Sequence, residues 1–207
     1  MAMRASHSII DFTPPASSAP LPPHSRERFA PLAVLDMHGE RVTVQDGRLL
    51  RLRPIQANDV AALQRCFTRL SPEDIRRRFM HAMAELPDPM ARRLCQIDPE
   101  QETALALLDD SLRPAEIRGV GRIFVDEATD SAEFSVLVEQ SWGHLGLGGL
   151  LLRRLIEDCR QRGLAEVWGY VLTENQPMLD LCRELGFERQ LMSNEPGITR
   201  VALRLQP

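Results

Sequence analysis

Aromatic residues are few in this chain: they make up 5% of 207 residues, with two tryptophans and a single tyrosine, Tyr170. Aliphatic side chains must therefore supply most of the core. Cysteines are few as well. Cys66, Cys95, Cys159 and Cys182 are widely spaced, with no CxxC pair, which fits reduced thiols in a cytoplasm, and no metal site is expected. No run approaches the roughly 18 apolar residues needed to span a bilayer, so no membrane partner is expected. The opening MAMRASHSII lacks the apolar core and cleavage site of a secretory signal. Net charge is −4, and without a broad basic field nucleic acid is not expected as a partner. The triplet Arg76, Arg77, Arg78 reads as a solvated helix face.

The length suits one well-cored domain. Residues 1–29, typified by DFTPPASSAPLPPHS, are rich in Pro, Ser and Ala. Such a segment cannot bury enough apolar surface to offset its ordering entropy, so a flexible tail is expected there. The domain proper is expected over 33–207.

Within it, Asp46-Gly47 lies between two apolar-rich runs and predicts a two-residue hairpin turn. Asn58 is expected to cap a helix through VAALQRCFTRL, SPED at 71–74 starts a second, and Asp88-Pro89 a third. TALALL, IRGVGRIFV and EFSVLV, separated by polar breaks, predict an antiparallel meander. A glycine-rich loop then enters a helix. Leu151, Leu152, Leu155, Ile156 and Cys159 form its apolar face, and Arg153, Arg154, Glu157, Asp158, Arg160 and Gln161 its polar one. AEVWGYVL is a buried-strand candidate, Pro177 starts a helix that Gly186 closes, and RQLM and TRVALRL are final strands. The strand–helix–strand passage at 133–172 implies one parallel pair in an otherwise antiparallel sheet. The fold class is therefore α/β (α+β).

A strand leading through glycines into a helix N-terminus offers unpaired N–H groups and the positive end of the helix dipole, which suits an anion. The loop GHLGLGG lacks the GK[ST] of a nucleoside-triphosphate loop. As a dinucleotide fingerprint begun at Gly146 it fails at Leu151, where the third glycine belongs.

The segment Leu50 to Gln190 resembles the GNAT superfamily of acyl-CoA-dependent N-acyltransferases. The resemblance lies in Gly143-His144-Leu145-Gly146-Leu147-Gly148 after VLV, in LLLRRLIEDCRQRGL after the loop, and in LTENQPMLDLCRELGF downstream. Within the superfamily the likeness is to the catalytic domain of Pat-type bacterial protein lysine acetyltransferases. It is carried by LRLRPIQANDV, LSPEDIRRRF, GVGRIFVD, AEFSVLVEQSWG and NQPMLDLCRELGF.

The resemblance implies a mixed, mostly antiparallel sheet flanked by helices, with a splayed parallel pair at strands 4 and 5 of the family's count. Acetyl-CoA is implied as co-substrate, and the acceptor as an amine, a protein lysine or a small molecule. A non-catalytic acyl-CoA-binding module is a rival reading. Acyl-pantetheine would bond to backbone groups of Val136, Leu137 and Val138, and Asn175 would contact the pantetheine arm or simply cap a helix. Gly143, His144, Leu145, Gly146, Leu147, Gly148 and Gly149 would cradle the pyrophosphate. Gly143 stands where the family prefers Gln or Arg, and His144 at a usual glycine position. Glu133, in an Ala-Glu-Phe context, is implied as the general base, with Glu139 a solvated neighbour and Trp142 a packing residue. The family's acid tyrosine falls at Cys182, which reads as a small core residue. Tyr170 precedes Asn175 and does not align. The leaving thiolate then departs into water or takes the amine's proton.

Overall fold

The computed structural model describes residues 39–192 and 195–205. The expected tail at 1–29 and the expected domain start at 33 lie outside the described residues. Strands β1 (Glu40–Thr43), β2 (Leu49–Pro54), β3 (Glu102–Asp109), β4 (Glu116–Asp126), β5 (Ser131–Val138), β6 (Glu166–Leu172), β7 (Glu188–Leu191) and β8 (Ile198–Arg204) form one sheet. Its order is β1-β2-β3-β4-β5-β6-β8-β7. Every pairing is antiparallel except β5 with β6. The family's fourth and fifth strands are thus the fifth and sixth here, because the leading hairpin adds a strand at the edge.

Helices α1 (Val60–Thr68), α2 (Pro72–Phe79) and α3 (Asp88–Cys95) pack on one face, and α4 (Leu147–Gln161) and α5 (Gln176–Glu184) on the other. Strand β3 explains why TALALL is apolar throughout. Leu105 and Leu107 join the core under α4, while Ala104, Ala106 and Leu108 join the core under α1–α3. A strand covered on both faces loses the usual alternation.

Local chemistry sets most element ends. Ser71 Oγ accepts the N–H of Asp74 at the start of α2, as SPED predicts. Gly163 and Gly186, at φ 72° and 89°, end α4 and α5 in the left-handed region. Three local expectations are corrected. The hairpin turn is longer than two residues: Val44 pairs with Arg48, and Gly47 takes φ 86° behind them. Asn58 does not cap α1. Instead Asp59 accepts the N–H of Gln56 and holds Arg53 in a buried ion pair at 2.7 Å, and both jobs need a carboxylate. The third helix does start at Asp88, but behind Pro87 and without a side-chain cap.

Asp158 also departs from expectation. It is fully buried rather than on the polar face of α4, bonded to Thr103 and paired with Arg162 at 3.1 Å. Arg162 in turn donates to the carbonyls of Pro99 and Glu100. A buried charge survives only with such partners, and here they pin α4 to the start of β3.

Candidate active site

Strands β5 and β6 pair only at Ser131↔Glu166, Ala132↔Val167 and Glu133↔Trp168. Beyond Glu133 they part. β5 stays with β4 as far as Val138, and β6 stays with β8 as far as Leu172. Phe134 sits at the divergence, with its ring against Gly169. A Cβ at 169 would lie 2.8 Å from Phe134 Cε1, so only glycine admits the ring there. Phe187 holds the same ring edge-on at 5.4 Å.

The opened gap is a cleft of about 420 Å³. Val136, Leu137 and Val138 line it, as do Gly143, His144, Gly146, Leu147, Gly148, Gly149 and Asn175. Leu145 does not; it packs against the core behind the loop. Asn175 caps α5, its side chain accepting from the Met178 N–H at 3.4 Å while also facing the cleft.

The loop turns through left-handed residues at His144 (φ 60°) and Gly146 (φ 76°). Among the described residues, the amides of His144, Leu145, Gly146, Leu147, Gly148 and Gly149 find no backbone acceptor, and the first bond of α4 runs from the Leu150 N–H to the Gly146 carbonyl. Six such donors at the positive end of a 15-residue helix make an anion cradle. Arg153, one turn after Gly149 on α4, folds back along the helix, with its guanidinium nitrogens 3.3 Å from where a Gly149 Cβ would stand. It places a cation beside the first turn of α4, where Gly143 offers none.

The base of the loop is built differently from expectation at Glu139. That side chain is buried, not solvated, and accepts from Arg69 at 3.1 Å and Arg118 at 3.0 Å. Trp142 packs as expected, held between Arg48 at 3.6 Å and Arg118 at 5.4 Å from its ring centroid.

Glu133 lies at the closed end of the cleft, just behind its lining. It is 8% exposed and without a hydrogen bond among the described residues. Burial pushes its carboxyl up to about 7, with Arg78 pulling the other way. Residues aligned in a parallel pair share a face, so Glu133 and Ser135 point with Trp168 and Tyr170 toward α1–α3. Tyr170 lines the cleft two residues past the last pair. Burial and the nearby Glu133 charge raise its hydroxyl further, so it stays protonated at neutral pH. Cys182 lies in the core between α5 and the sheet, its thiol pushed up to about 12 by burial.

The arginine triplet does not form a uniform solvated face. Arg76 is exposed and pairs with Glu174 beyond β6, whereas Arg77 and Arg78 are half-buried along the cleft. Three functional candidates thus escaped the sequence reading. Helical spacing from Gly149 could have found Arg153, and Arg78 follows Ile75 by three residues on an apolar stripe. Strand alternation could have put Tyr170 with Glu133, had the register of β5 and β6 been readable.

Residues 63–187 match the acetyltransferase (GNAT) family. An acetyltransferase of Pseudomonas aeruginosa is 29% identical over 151 residues, 72% of this chain and 80% of that protein. The GNAT domain of S. lividans PAT superposes with a TM-score of 0.72 at 24% identity, over 80% of this chain and 96% of that one. An acetyltransferase of Salmonella typhimurium, solved with its cofactor acetyl-CoA, superposes with a TM-score of 0.53 at 19% identity, over 76% and 95% of the two chains. At these identities the superpositions show the fold.

Proposed function

The chain belongs to the acetyltransferase (GNAT) family, and we propose that it transfers an acetyl group from acetyl-CoA to a protein lysine side chain, with Glu133 as general base. The observation that carries this reading is the position of Glu133: a buried carboxyl near neutrality, where two paired strands separate to open a cleft that ends at a loop of free amides. The unpaired amides of His144 to Gly149 and the Arg153 guanidinium fit the pyrophosphate of CoA. The strand edge at Val136, Leu137 and Val138 faces the gap in which an extended pantetheine arm would lie.

Transfer joins the amine nitrogen to the acetyl carbon and breaks that carbon's bond to sulfur. A lysine ammonium has no lone pair and an ordinary pKa of about 10, so a proton must leave first. A base with a pKa near 7 is half ionised at neutral pH and still strong enough to draw that proton. Glu133 lies behind the cleft lining and takes it through a water. Tyr170, protonated and facing the gap, returns a proton to the departing thiolate, the task that buried Cys182 cannot perform. The chain has no lysine of its own; all 25 of its Lys+Arg residues are arginine. Any acetyl-lysine formed in an assay therefore belongs to the acceptor.

The test is thiol release from acetyl-CoA with a pool of lysine peptides, alongside calorimetry with CoA. Glu133→Gln should lower kcat by about 100-fold or more and leave CoA affinity within about threefold. Turnover by Glu133→Gln equal to wild type would remove Glu133 from the mechanism. Transfer to small amines but to no peptide would reassign the acceptor.

A further inference from the structure

Arg78 is the one half-buried arginine among the described residues that has neither a hydrogen bond nor an ion pair. Its neighbours are engaged: Arg76 with Glu174, and Arg77 with Glu73. The other arginines in that condition, Arg41, Arg113, Arg153 and Arg204, are exposed. Arg78 lines the cleft and also a water-sized cavity of about 30 Å³ beneath α1–α3, where its guanidinium carbon lies 4.9 Å from the Phe79 ring centroid. The charges around it leave it unsatisfied. Arg122 repels it and is committed to Glu102 and the Leu94 carbonyl. Asp74, one turn earlier on α2, is bonded to Ser71. Glu133 attracts it without forming an ion pair.

A partly desolvated cation without an anion is costly, and the cost is recovered when a ligand brings the anion. That anion is not the pyrophosphate of CoA. Arg78 lies over β5, within electrostatic reach of Glu133 and Arg122 and against the same cavity as Leu137, whereas the free amides of the cradle begin only at His144, past the end of β5. It therefore belongs to the acceptor. Arg78 on the cleft lining and Glu133 just behind it place a positive and a negative group within electrostatic reach of each other, which matches an amine and a carboxylate carried by one molecule.

Building on the acetyl-transfer reading, we propose that Arg78 binds a carboxylate that lies next to the acceptor amine. The shared chemistry is an amine with a neighbouring carboxylate. Two sources supply it: an acidic residue beside a peptide lysine, or the carboxylate of a free amino acid.

The decisive comparison uses wild-type protein. A lysine peptide with an adjacent Glu is set against the same peptide with Gln, and free lysine against lysinamide. A charge-assisted bidentate contact predicts a kcat/KM at least about tenfold higher for the acid member of one pair, and which pair shows it identifies the source. Arg78→Gln should reduce that preference to about twofold while CoA affinity holds. Arg78→Glu should favour a peptide with an adjacent Lys. Equal rates for acid and amide in both pairs would overturn the proposal, as would an Arg78→Gln variant that loses activity equally toward all four acceptors. If no acceptor is acetylated although CoA binds, the acetyl-transfer reading fails. Calorimetry of the CoA-loaded protein with the same pairs then still decides Arg78: tighter binding of an acid member supports it, and equal or undetectable binding of both refutes it.

Discussion

Glu133 and Trp168 are the last residues to pair between β5 and β6. The base candidate therefore stands where the sheet opens, just behind the lining of the cleft that begins at Phe134. That position buries the carboxyl and gives it its pKa near neutrality.

The first expectation concerns pH. With the Glu133 carboxyl at about 7, kcat/KM should rise with pH and level off above that value, as the carboxylate becomes fully ionised. A pH–rate profile checks this. An inflection near the ordinary glutamate range, below 5, would mean that the titrating group is not a buried carboxyl.

The same shift has a consequence for stability. Folding raises the Glu133 pKa from 4.5 to about 7, so the folded state holds the proton more tightly than the unfolded chain. This contribution is fully present below about 4.5 and is lost as pH rises through about 7, up to about 3 kcal/mol. Glu133→Gln should therefore melt above wild type at pH 8, and the gap should close at pH 5. Parallel thermal scans of both proteins measure it.

Arg153 lies against Gly149 in the first turn of α4, without an ion partner among the described residues. Arg153→Gln should weaken CoA binding by about tenfold at low salt, and by less at high salt, where charge is screened. Calorimetry at two ionic strengths reads both effects, and an equal loss at each would point to packing instead.

His144 holds φ 60°, a conformation that costs a side chain about 1 kcal/mol and glycine little. His144→Gly should stabilise the fold by about 0.5–1 kcal/mol in urea unfolding. CoA affinity should stay within about twofold, because the proposed site holds the pyrophosphate by the loop amides. A larger loss, growing as pH falls, would show that the imidazolium touches phosphate.

Gly169→Ala places a methyl group 2.8 Å from the Phe134 ring. The ring must move, at a cost of about 1–3 kcal/mol. Because Phe134 also lines the cleft, CoA affinity should fall together with stability, whereas a surface substitution on β7 should change neither.

Local order was legible in the sequence wherever adjacent residues cause it. The Ser71 cap, the ends of α4 and α5 at Gly163 and Gly186, and the Gly loop entering α4 depend on neighbours within a few residues. So did the order of strands and helices, and with it the family. Charge placement depends on distant segments, and there the sequence misled. Glu139, Asp158 and Arg78 look like solvated surface in a linear reading. Glu139 is buried by Arg69 and Arg118, Asp158 by Thr103 and Arg162, and Arg78 by the closing of α2 over β5. The parting of β5 from β6 was implied only by resemblance. It is made by Phe134 lying across Gly169, two residues 35 positions apart, and nothing in either one's neighbourhood announces it. Propensity and spacing act over a turn or two of chain, whereas desolvation and pairing of charge are set by whatever the tertiary fold brings alongside.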